Sequence, residues 1–325
     1  MSNKVSIFEQ KIHEAVKKVS SNESPTTLFE PIGYILSLGG KRLRPLLTLM
    51  AADLFEKEPD TVIDAAVAME VFHNFTLMHD DLMDRADVRR GSPTVHKKWS
   101  DSVAVLSGDA MLIEAYRQLE NIPAEKLPKV LRLFSDMAID VCRGQQYDMD
   151  FEQRTDVTEA EYLKMIRLKT SVLLASSLQI GAVLSDAPAA DVKLLYEYGI
   201  NIGFAFQLKD DLLDVYGNPE TFGKKLGGDI LCNKKTYLLI KALENANKQQ
   251  LQQLEMWLSK TDFDPNEKIK AVTAIYDELD LKTISENRIE QYYIASLECL
   301  SAIDVPNERK EELIALSKSL MYREK

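Results

Sequence analysis

The length, composition and charge of the chain exclude several classes of protein. The 325 residues are 45% hydrophobic, and no apolar run reaches the roughly 18 residues that a membrane-spanning helix needs. We therefore expect neither a disordered nor a membrane-spanning protein. A formal net charge of −11 argues against nucleic acid as a general partner.

The amino terminus and the cysteines predict a cytoplasmic protein. Residues 1–20 have an amphipathic, charged helical pattern without the apolar core or cleavage site of a signal peptide. Cys142, Cys232 and Cys299 are scattered and lack metal-binding spacing, which is typical of reduced thiols in a cytosol.

Helical periodicity dominates the chain. Apolar residues recur at helical spacing from end to end, without convincing period-two alternation, so we predict an all-α protein of about ten to fourteen helices. The last part, residues 246–325, forms charged amphipathic helices divided near 262–265 and 304–306. It carries no chemical motif, and we assign it a structural or oligomeric role.

A glycine-rich basic segment, residues 39–45, reads Gly-Gly-Lys-Arg-Leu-Arg-Pro. The glycines permit a tight backbone path, and Pro45 fits the first turn of a helix predicted over 46–55. Basic side chains at a helix start favour a bound anion. An ordinary basic loop is the alternative.

A long buried helix ends in three carboxylates. Its apolar run begins at Ala65, contains neither Gly nor Pro, and closes in Asp80, Asp81 and Asp84. Residues four apart share a helix face, and two like charges about 4 Å apart repel by roughly 4 kcal/mol at an effective dielectric near 20. A cation between them would remove this repulsion. Oxygen ligands favour Mg²⁺, which commonly also binds phosphate oxygens; a solvated helix end is the alternative.

The acidic pattern occurs a second time, about 130 residues later. Another apolar helical run closes in Asp210, Asp211 and Asp214. Gln207 shares the face of Asp210, and small residues on that face leave room for a ligand or a close helix neighbour. The repetition weakens the solvated-end alternative for the first motif. Two such motifs share one metal cluster only if they converge, which favours a single domain over residues 1–325.

Basic side chains accompany both acidic motifs. Arg89 and Arg90 follow the first motif in a polar, turn-rich segment, and their planar forks suit phosphate oxygens, although ion pairs with the nearby aspartates are the bland alternative. Lys169 interrupts an apolar helix over 163–184, so it must reach the surface or meet an anion. A glycine-rich basic loop over 221–229 is a candidate phosphate cover or a bare linker.

Together these motifs, in this order, resemble those of the trans (E-type) polyprenyl diphosphate synthases, the family of farnesyl and geranylgeranyl diphosphate synthases. The match extends from about Gly39 to Thr236. The resemblance implies an all-α isoprenoid synthase fold, a helical bundle around a central cavity, usually as a homodimer. It also implies Mg²⁺-dependent head-to-tail (1′-4) condensation of isopentenyl diphosphate with allylic diphosphates.

The resemblance also implies residue roles. About three Mg²⁺ ions per active site would be held by Asp80, Asp84 and Asp210, with Asp81, Asp211 and Asp214 in support. The allylic diphosphate would contact Arg89, Lys169, Gln207, Lys224 and Lys234. Isopentenyl diphosphate would bind Lys41, Arg44, His73 and Arg90. The Gln207 side-chain oxygen and the Thr170 backbone carbonyl would stabilise the allylic cation.

Product length follows from the residues before the first motif. In the resembling family a bulky residue five positions before the first aspartate closes the cavity, and here this is Phe75, followed by Thr76. The pattern favours a C20 product, with C15 possible and a longer-chain product as the alternative. Helix geometry supports this less, since it places Phe75 about 140° from Asp80. Asn233 and Leu238 depart from the family's usual Gly and Pro.

Two other functions compete with this one. A class I terpene cyclase would replace the second motif by an Asn/Asp, Ser/Thr, Glu series, which the residues after Asp211 do not supply. A catalytically silent partner subunit would be expected to have lost carboxylates from one motif, and both motifs are intact.

Overall fold

The computed structural model describes residues 3–20, 23–218 and 226–322, and within these ranges the protein is almost entirely helical. The all-α prediction is confirmed. The described residues form fourteen α-helices of eight or more residues and two single-turn helices. The number of helices exceeds the predicted ten to fourteen because of the two short ones. Lys224, predicted to contact the allylic diphosphate, lies outside the described residues.

The first ten helices are α1 (Asn3–Lys18), α2 (Thr26–Ser37), α3 (Leu43–Leu54), α4 (Ile63–Met83), α5 (Val95–Lys98), α6 (Asp101–Leu119), α7 (Leu127–Glu152), α8 (Glu159–Ile166), α9 (Val172–Leu184) and α10 (Ala189–Tyr216). The others are α11 (Gly228–Leu231), α12 (Tyr237–Asn245), α13 (Lys248–Ser259), α14 (Pro265–Glu278), α15 (Leu281–Ser301) and α16 (Asn307–Met321). A 3₁₀ turn covers Pro59–Thr61. Two short strands, β1 (Val88–Arg89) and β2 (Ser92–Pro93), pair antiparallel.

Helix starts follow the chemistry of their first residues. Thr158 and Glu161 form a capping box that satisfies backbone N–H groups at the start of α8. Pro265 occupies the first turn of α14, where its missing N–H costs nothing, and the Asp264 side chain caps that helix. Residues 302–306 likewise separate two helices, so the predicted breaks near 262–265 and 304–306 are confirmed.

The chain divides into two compact units. Unit 1 comprises Met1–Met137, Leu173–Tyr196 and Leu300–Ala315, and unit 2 comprises Ala138–Val172, Glu197–Cys299 and Leu316–Lys325. The segment 39–45 and the first acidic motif belong to unit 1, and the second acidic motif belongs to unit 2. The single domain over 1–325 stays a prediction.

Helix α4 is the centre of unit 1. It packs against α1, α2, α3 and α6, and residues on most of its sides are buried, with Ala66, Met69 and Val71 fully so. Burying a large apolar side chain contributes about 1.5–3 kcal/mol, so α4 is held rigidly up to its acidic end. In the described ranges, every helix is too short or too polar to cross a bilayer.

Candidate active site

The basic segment between α2 and α3 contains one arginine with a structural role and one exposed lysine. Arg42 adopts a left-handed conformation (φ 44°) at the N-cap position of α3, which begins three residues earlier than predicted. Its guanidinium lies 2.7 Å from the carboxylate of Glu70 on α4, a side chain that is 2% exposed, and also donates to the Leu36 carbonyl. Arg42 thus anchors the segment, and the neighbouring Lys41 is exposed.

His73 lies among arginines from two segments of unit 1, residues 42–44 and the hairpin after the first acidic motif. Burial, followed by the charges of Arg44, Arg90, Arg89 and Arg42, holds the pKa of His73 well below its usual range. The ring is therefore neutral near pH 7. One ring nitrogen can donate a hydrogen bond and the other can accept one. The structure brings together three of the four residues predicted to bind isopentenyl diphosphate.

The hairpin after the first acidic motif explains how Arg90 reaches this cluster. Arg90 and Gly91 form the turn between β1 and β2, both with positive φ (51° and 76°), as two-residue hairpins require. The Arg90 guanidinium donates to the Gly39 carbonyl. A Cβ on Gly40 would lie 2.7 Å from the Arg90 Cζ, so this glycine leaves room for the guanidinium.

The first acidic motif lies at the end of α4. Arg89 donates to the Asp81 carboxylate at 2.7 Å. This is the kind of ion pair predicted from the sequence as the alternative to phosphate binding. Asp81 is 3% exposed, and burial raises its pKa despite the opposing effect of Arg89. Asp84 is exposed and caps the helix. These positions agree with a supporting role for Asp81.

Phe75 belongs to an aromatic group on the buried side of α4. It is 9% exposed, and its ring centroid lies 5.6 Å from that of Phe72 and 4.9 Å from that of His79. The Thr76 hydroxyl donates to the His73 carbonyl at 2.8 Å. Phe75 is therefore held by neighbours on both sides along the helix.

In unit 2, a π-helical turn over Arg167–Ser171 carries Lys169 and Thr170 between α8 and α9. The predicted interruption of this helix is thus a π-turn, a feature that is frequent at functional sites. Two glycines approach the π-turn closely. A Cβ on Gly144 would lie 2.2 Å from the backbone nitrogen of Lys169, and one on Gly203 would lie 2.4 Å from the Ser171 Cα. At Gly203 the small residue makes room for a helix neighbour.

A chain of hydrogen bonds joins the π-turn to the second acidic motif. Thr170 donates to the Gln207 side-chain oxygen (2.9 Å), Gln207 donates to Asp211 (3.0 Å), and the buried Tyr162 donates to the other oxygen of Asp211 (2.5 Å). Gln207 thus bonds to Asp211, four residues on, whereas the sequence placed it with Asp210. Burial and the charge of Asp229 raise the pKa of Asp211 to about 7.

Replacing Tyr162 with Phe is expected to lower kcat about tenfold, since Asp211 loses a buried hydrogen bond that helps to orient Gln207. Steady-state kinetics with each substrate varied would measure this. Tyr116→Phe is the matched control, because that hydroxyl pairs with the Ser135 hydroxyl of unit 1 at 3.3 Å and not with a carboxylate of the second acidic motif. An unchanged kcat in Tyr162→Phe would contradict the orienting role.

Two predicted ligands of the allylic diphosphate converge on one carboxylate. The Nζ of Lys169 lies 2.6 Å and that of Lys234 lies 4.0 Å from the same Asp148 oxygen. Burial by itself would raise the pKa of Asp148, but the two lysines hold it below its usual range. Lys169 therefore meets an anion, as its place in an apolar helix requires.

The donor atoms of both acidic motifs fit Mg²⁺. All are carboxylate oxygens, the ligands that this hard cation prefers. The raised pKa values of Asp81 and Asp211 reflect buried carboxyl groups with acidic neighbours, Asp80 and Asp229, and a divalent cation would relieve this crowding. Across 3–20, 23–218 and 226–322, no three His, Cys, Asp or Glu side chains form a ready-made metal cluster. Mg²⁺ typically uses one or two carboxylates and completes its shell with phosphate oxygens.

Comparison with known proteins decides the family. Residues 25–276 match the family model described as polyprenyl synthetase. The chain belongs to the polyprenyl synthetase family. It is 42% identical over 240 residues to a geranylgeranyl diphosphate synthase from Methanosarcina mazei, covering 73% of this chain and 74% of the relative.

Other relatives of this polyprenyl synthetase agree with the fold and differ in product. A geranylfarnesyl diphosphate synthase from Natronomonas pharaonis is 38% identical over 249 residues, covering 71% of this chain and 73% of the relative. A solved geranylgeranyl pyrophosphate synthase superposes with a TM-score of 0.94 over 99% of both chains, at 44% identity. The predicted family and helical fold are confirmed.

The structure explains one departure of this polyprenyl synthetase from the family pattern. Asn233 has φ 54°, the left-handed conformation that glycine adopts most easily and asparagine tolerates best among other residues. Leu238 is 1% exposed in the first turn of α12, where a proline would also fit.

Sequence reasoning missed Asp148, Tyr162 and Glu70. Asp148 lies in a polar stretch of α7, and that polarity was its available signal. Tyr162 and Glu70 gave none, because a tyrosine or glutamate within a helical pattern is ordinary until its partner is known. Their partners, Asp211 and Arg42, are 49 and 28 residues away.

Proposed function

We propose that this chain condenses isopentenyl diphosphate with an allylic diphosphate to give a short trans-prenyl diphosphate, with C20 favoured and C15 possible. Family membership makes it a prenyltransferase. The observation that carries the proposal is the arginine cluster around a neutral His73, directly beside the first acidic motif. A cyclase has no use for this second anion site.

Some residues of this chain would bind the two substrates, and others would stabilise the charge that develops during the reaction. Lys41, Arg44, His73 and Arg90 would hold isopentenyl diphosphate, while Arg89, Lys169, Lys224 and Lys234 would bind the allylic diphosphate. About three Mg²⁺ ions would neutralise charge on the leaving diphosphate. They would be held by Asp80, Asp84 and Asp210, with Asp81, Asp211 and Asp214 in support.

Charge stabilisation at the reacting carbon is assigned to Gln207 and Thr170. The Gln207 oxygen, oriented by its bonds to Thr170 and Asp211, would face the positive charge that develops as the allylic C–O bond breaks. The Thr170 backbone carbonyl would assist. The departing diphosphate would accept the proton lost after the new C–C bond forms, so a separate side-chain base is not required. Apolar walls would exclude water from the cation.

Replacing Phe75 with Ala is expected to lengthen the main product by at least one C5 unit, because the substitution removes the bulky ring proposed to close the cavity. The measurement is incubation of wild type and variant with Mg²⁺, isopentenyl diphosphate and dimethylallyl, geranyl or farnesyl diphosphate in turn, with chain-length analysis. Phe134→Ala is the matched control, since that ring is buried in unit 1 but lies outside the acidic helix.

The same incubation tests the function as a whole. Elongation that stops at C20 or C15 supports the proposal, and a wild-type product beyond C20 would replace it with a longer-chain synthase. Cyclised product without elongation would indicate a terpene cyclase, and no reaction with any primer would indicate a silent subunit. An unchanged product length in Phe75→Ala would move the length determinant to another residue.

We further propose a cytoplasmic homodimer of a single-domain chain. Support comes from α6, where Leu106 and Ile113, seven residues apart on one face, are 60% and 63% exposed. Large apolar side chains exposed on one helix face are candidates for an interface between proteins. Light scattering should give twice the chain mass of 36.8 kDa, and a monomer mass would refute the dimer.

A further inference from the structure

A fully buried lysine in unit 2 has no part in the mechanism described above. Lys268 lies on α14 and is 0% exposed, whereas lysine is almost never fully buried unless it is paired. Burying an ammonium group is costly unless its protons are bonded. Its contacts therefore show what the buried charge does.

The Lys268 ammonium bonds to one short turn of the chain. Its Nζ donates to the Asn233 side-chain oxygen at 2.7 Å and to the Leu231 carbonyl at 3.3 Å, and it lies 4.3 Å from the centroid of the Phe263 ring. The two oxygens satisfy the charge, and the ring adds a cation–π contact. Lys268 thus ties α14 to the turn between α11 and α12.

Asn233 is the centre of that turn. Its left-handed backbone (φ 54°) reverses the chain, and its side-chain NH₂ donates to the Leu258 carbonyl of α13 at 3.0 Å. The asparagine is therefore bonded to two helices at once, through Lys268 and through Leu258. A glycine would supply the same backbone conformation without either bond.

The residue that this turn presents is Lys234. Its backbone N–H donates to the Asp229 carbonyl at 2.9 Å, and its side chain extends toward Asp148, beside Lys169. A long, exposed lysine side chain gains precision when the backbone that carries it is fixed.

We propose that Lys268 is a positioning residue for the allylic-diphosphate site, acting through Asn233 to fix the turn that presents Lys234. This inference rests on the proposed function, in which Lys234 binds that diphosphate. Lys268 touches no substrate. Its effect is to keep the Lys234 ammonium where it meets the diphosphate oxygens, a role for which small displacements are costly.

The first test is Lys268→Met, which keeps the side-chain length and removes the bonded charge. The KM for the allylic diphosphate should rise about tenfold, as for other supporting residues, while the KM for isopentenyl diphosphate stays unchanged. Lys270→Met is the matched control, since Lys270 is exposed on the same helix. An equal rise in both KM values, or no rise, would overturn the proposal.

A double-mutant cycle with Lys234→Ala separates positioning from general destabilisation. In the Lys234→Ala background, Lys268→Met should add no further loss, and a full additional tenfold loss would overturn the proposal. If Lys234→Ala itself leaves the allylic KM unchanged, the proposed function of Lys234 fails, and the inference fails with it.

Asn233→Gly keeps the test open if Lys268→Met does not fold. The glycine retains the left-handed turn but loses both side-chain bonds, so the allylic KM should rise in the same direction. A variant with wild-type values for both substrates would show that the Asn233 and Lys268 pair does not position Lys234.

Discussion

Replacing Asp80 with Asn is expected to lower kcat/KM by a factor of about 10³, because an amide of the same shape loses the charge that we propose holds Mg²⁺. Metal-assisted charge stabilisation is worth several kcal/mol, and each 1.4 kcal/mol is about tenfold in rate. Steady-state turnover over a Mg²⁺ titration measures the loss. Higher Mg²⁺ should recover part of the activity.

Asp109→Asn is the control for that experiment. Asp109, on α6, has the same side chain as Asp80 and is 59% exposed. Its Oδ1 lies 4.0 Å from the His79 Nε2. It should keep near wild-type activity and Mg²⁺ dependence. Activity of Asp80→Asn within threefold of wild type, in a protein with unchanged circular dichroism, would remove the first acidic motif from the proposed mechanism.

Replacing Gly203 with Ala is expected to lower kcat about 100-fold and to destabilise the protein by about 1–3 kcal/mol. The new methyl group would lie 2.4 Å from the Ser171 Cα, so backbone must move, and the π-turn that carries Lys169 and Thr170 moves with it. A shift of about 1 Å at a reacting group costs on the order of 10²-fold. Turnover and thermal unfolding measure the two effects.

Gly33→Ala makes the same change at a tolerant position. Among the described residues, its added methyl group would meet the Ser20 side chain, whose hydroxyl oxygen would lie 2.9 Å away and can rotate aside. Its activity should stay at the wild-type level. Equal losses in the two variants would show that the π-turn does not transmit the Gly203 clash to the chemistry.

The family and the helical fold could be predicted from sequence because both depend on local patterns. The apolar run of α4 is continuous in the chain, and its acidic end follows directly. The interruption at Lys169 was visible, although a π-turn was not. The hairpin at Arg90 was predicted only as a turn-rich segment, since two-residue strands leave no periodicity to read.

The chemical groups of this protein and their order along the chain can be read from residues that are neighbours in sequence. Two aspartate motifs, a glycine-rich basic segment and interspersed arginines and lysines are properties of neighbouring residues, and charge and helical spacing identify them. They suffice for the diphosphate chemistry, because hard carboxylate oxygens and cationic side chains favour the same ligands wherever they are placed.

Which of these groups pair depends on how the helices pack in three dimensions. Lys169 with Asp148, Asn233 with Lys268 and Tyr162 with Asp211 are separated by 21, 35 and 49 residues. Hydrogen bonds of this kind depend on distances of about 3 Å between atoms on different helices. Helix packing sets such distances, and no pattern within one helix records them.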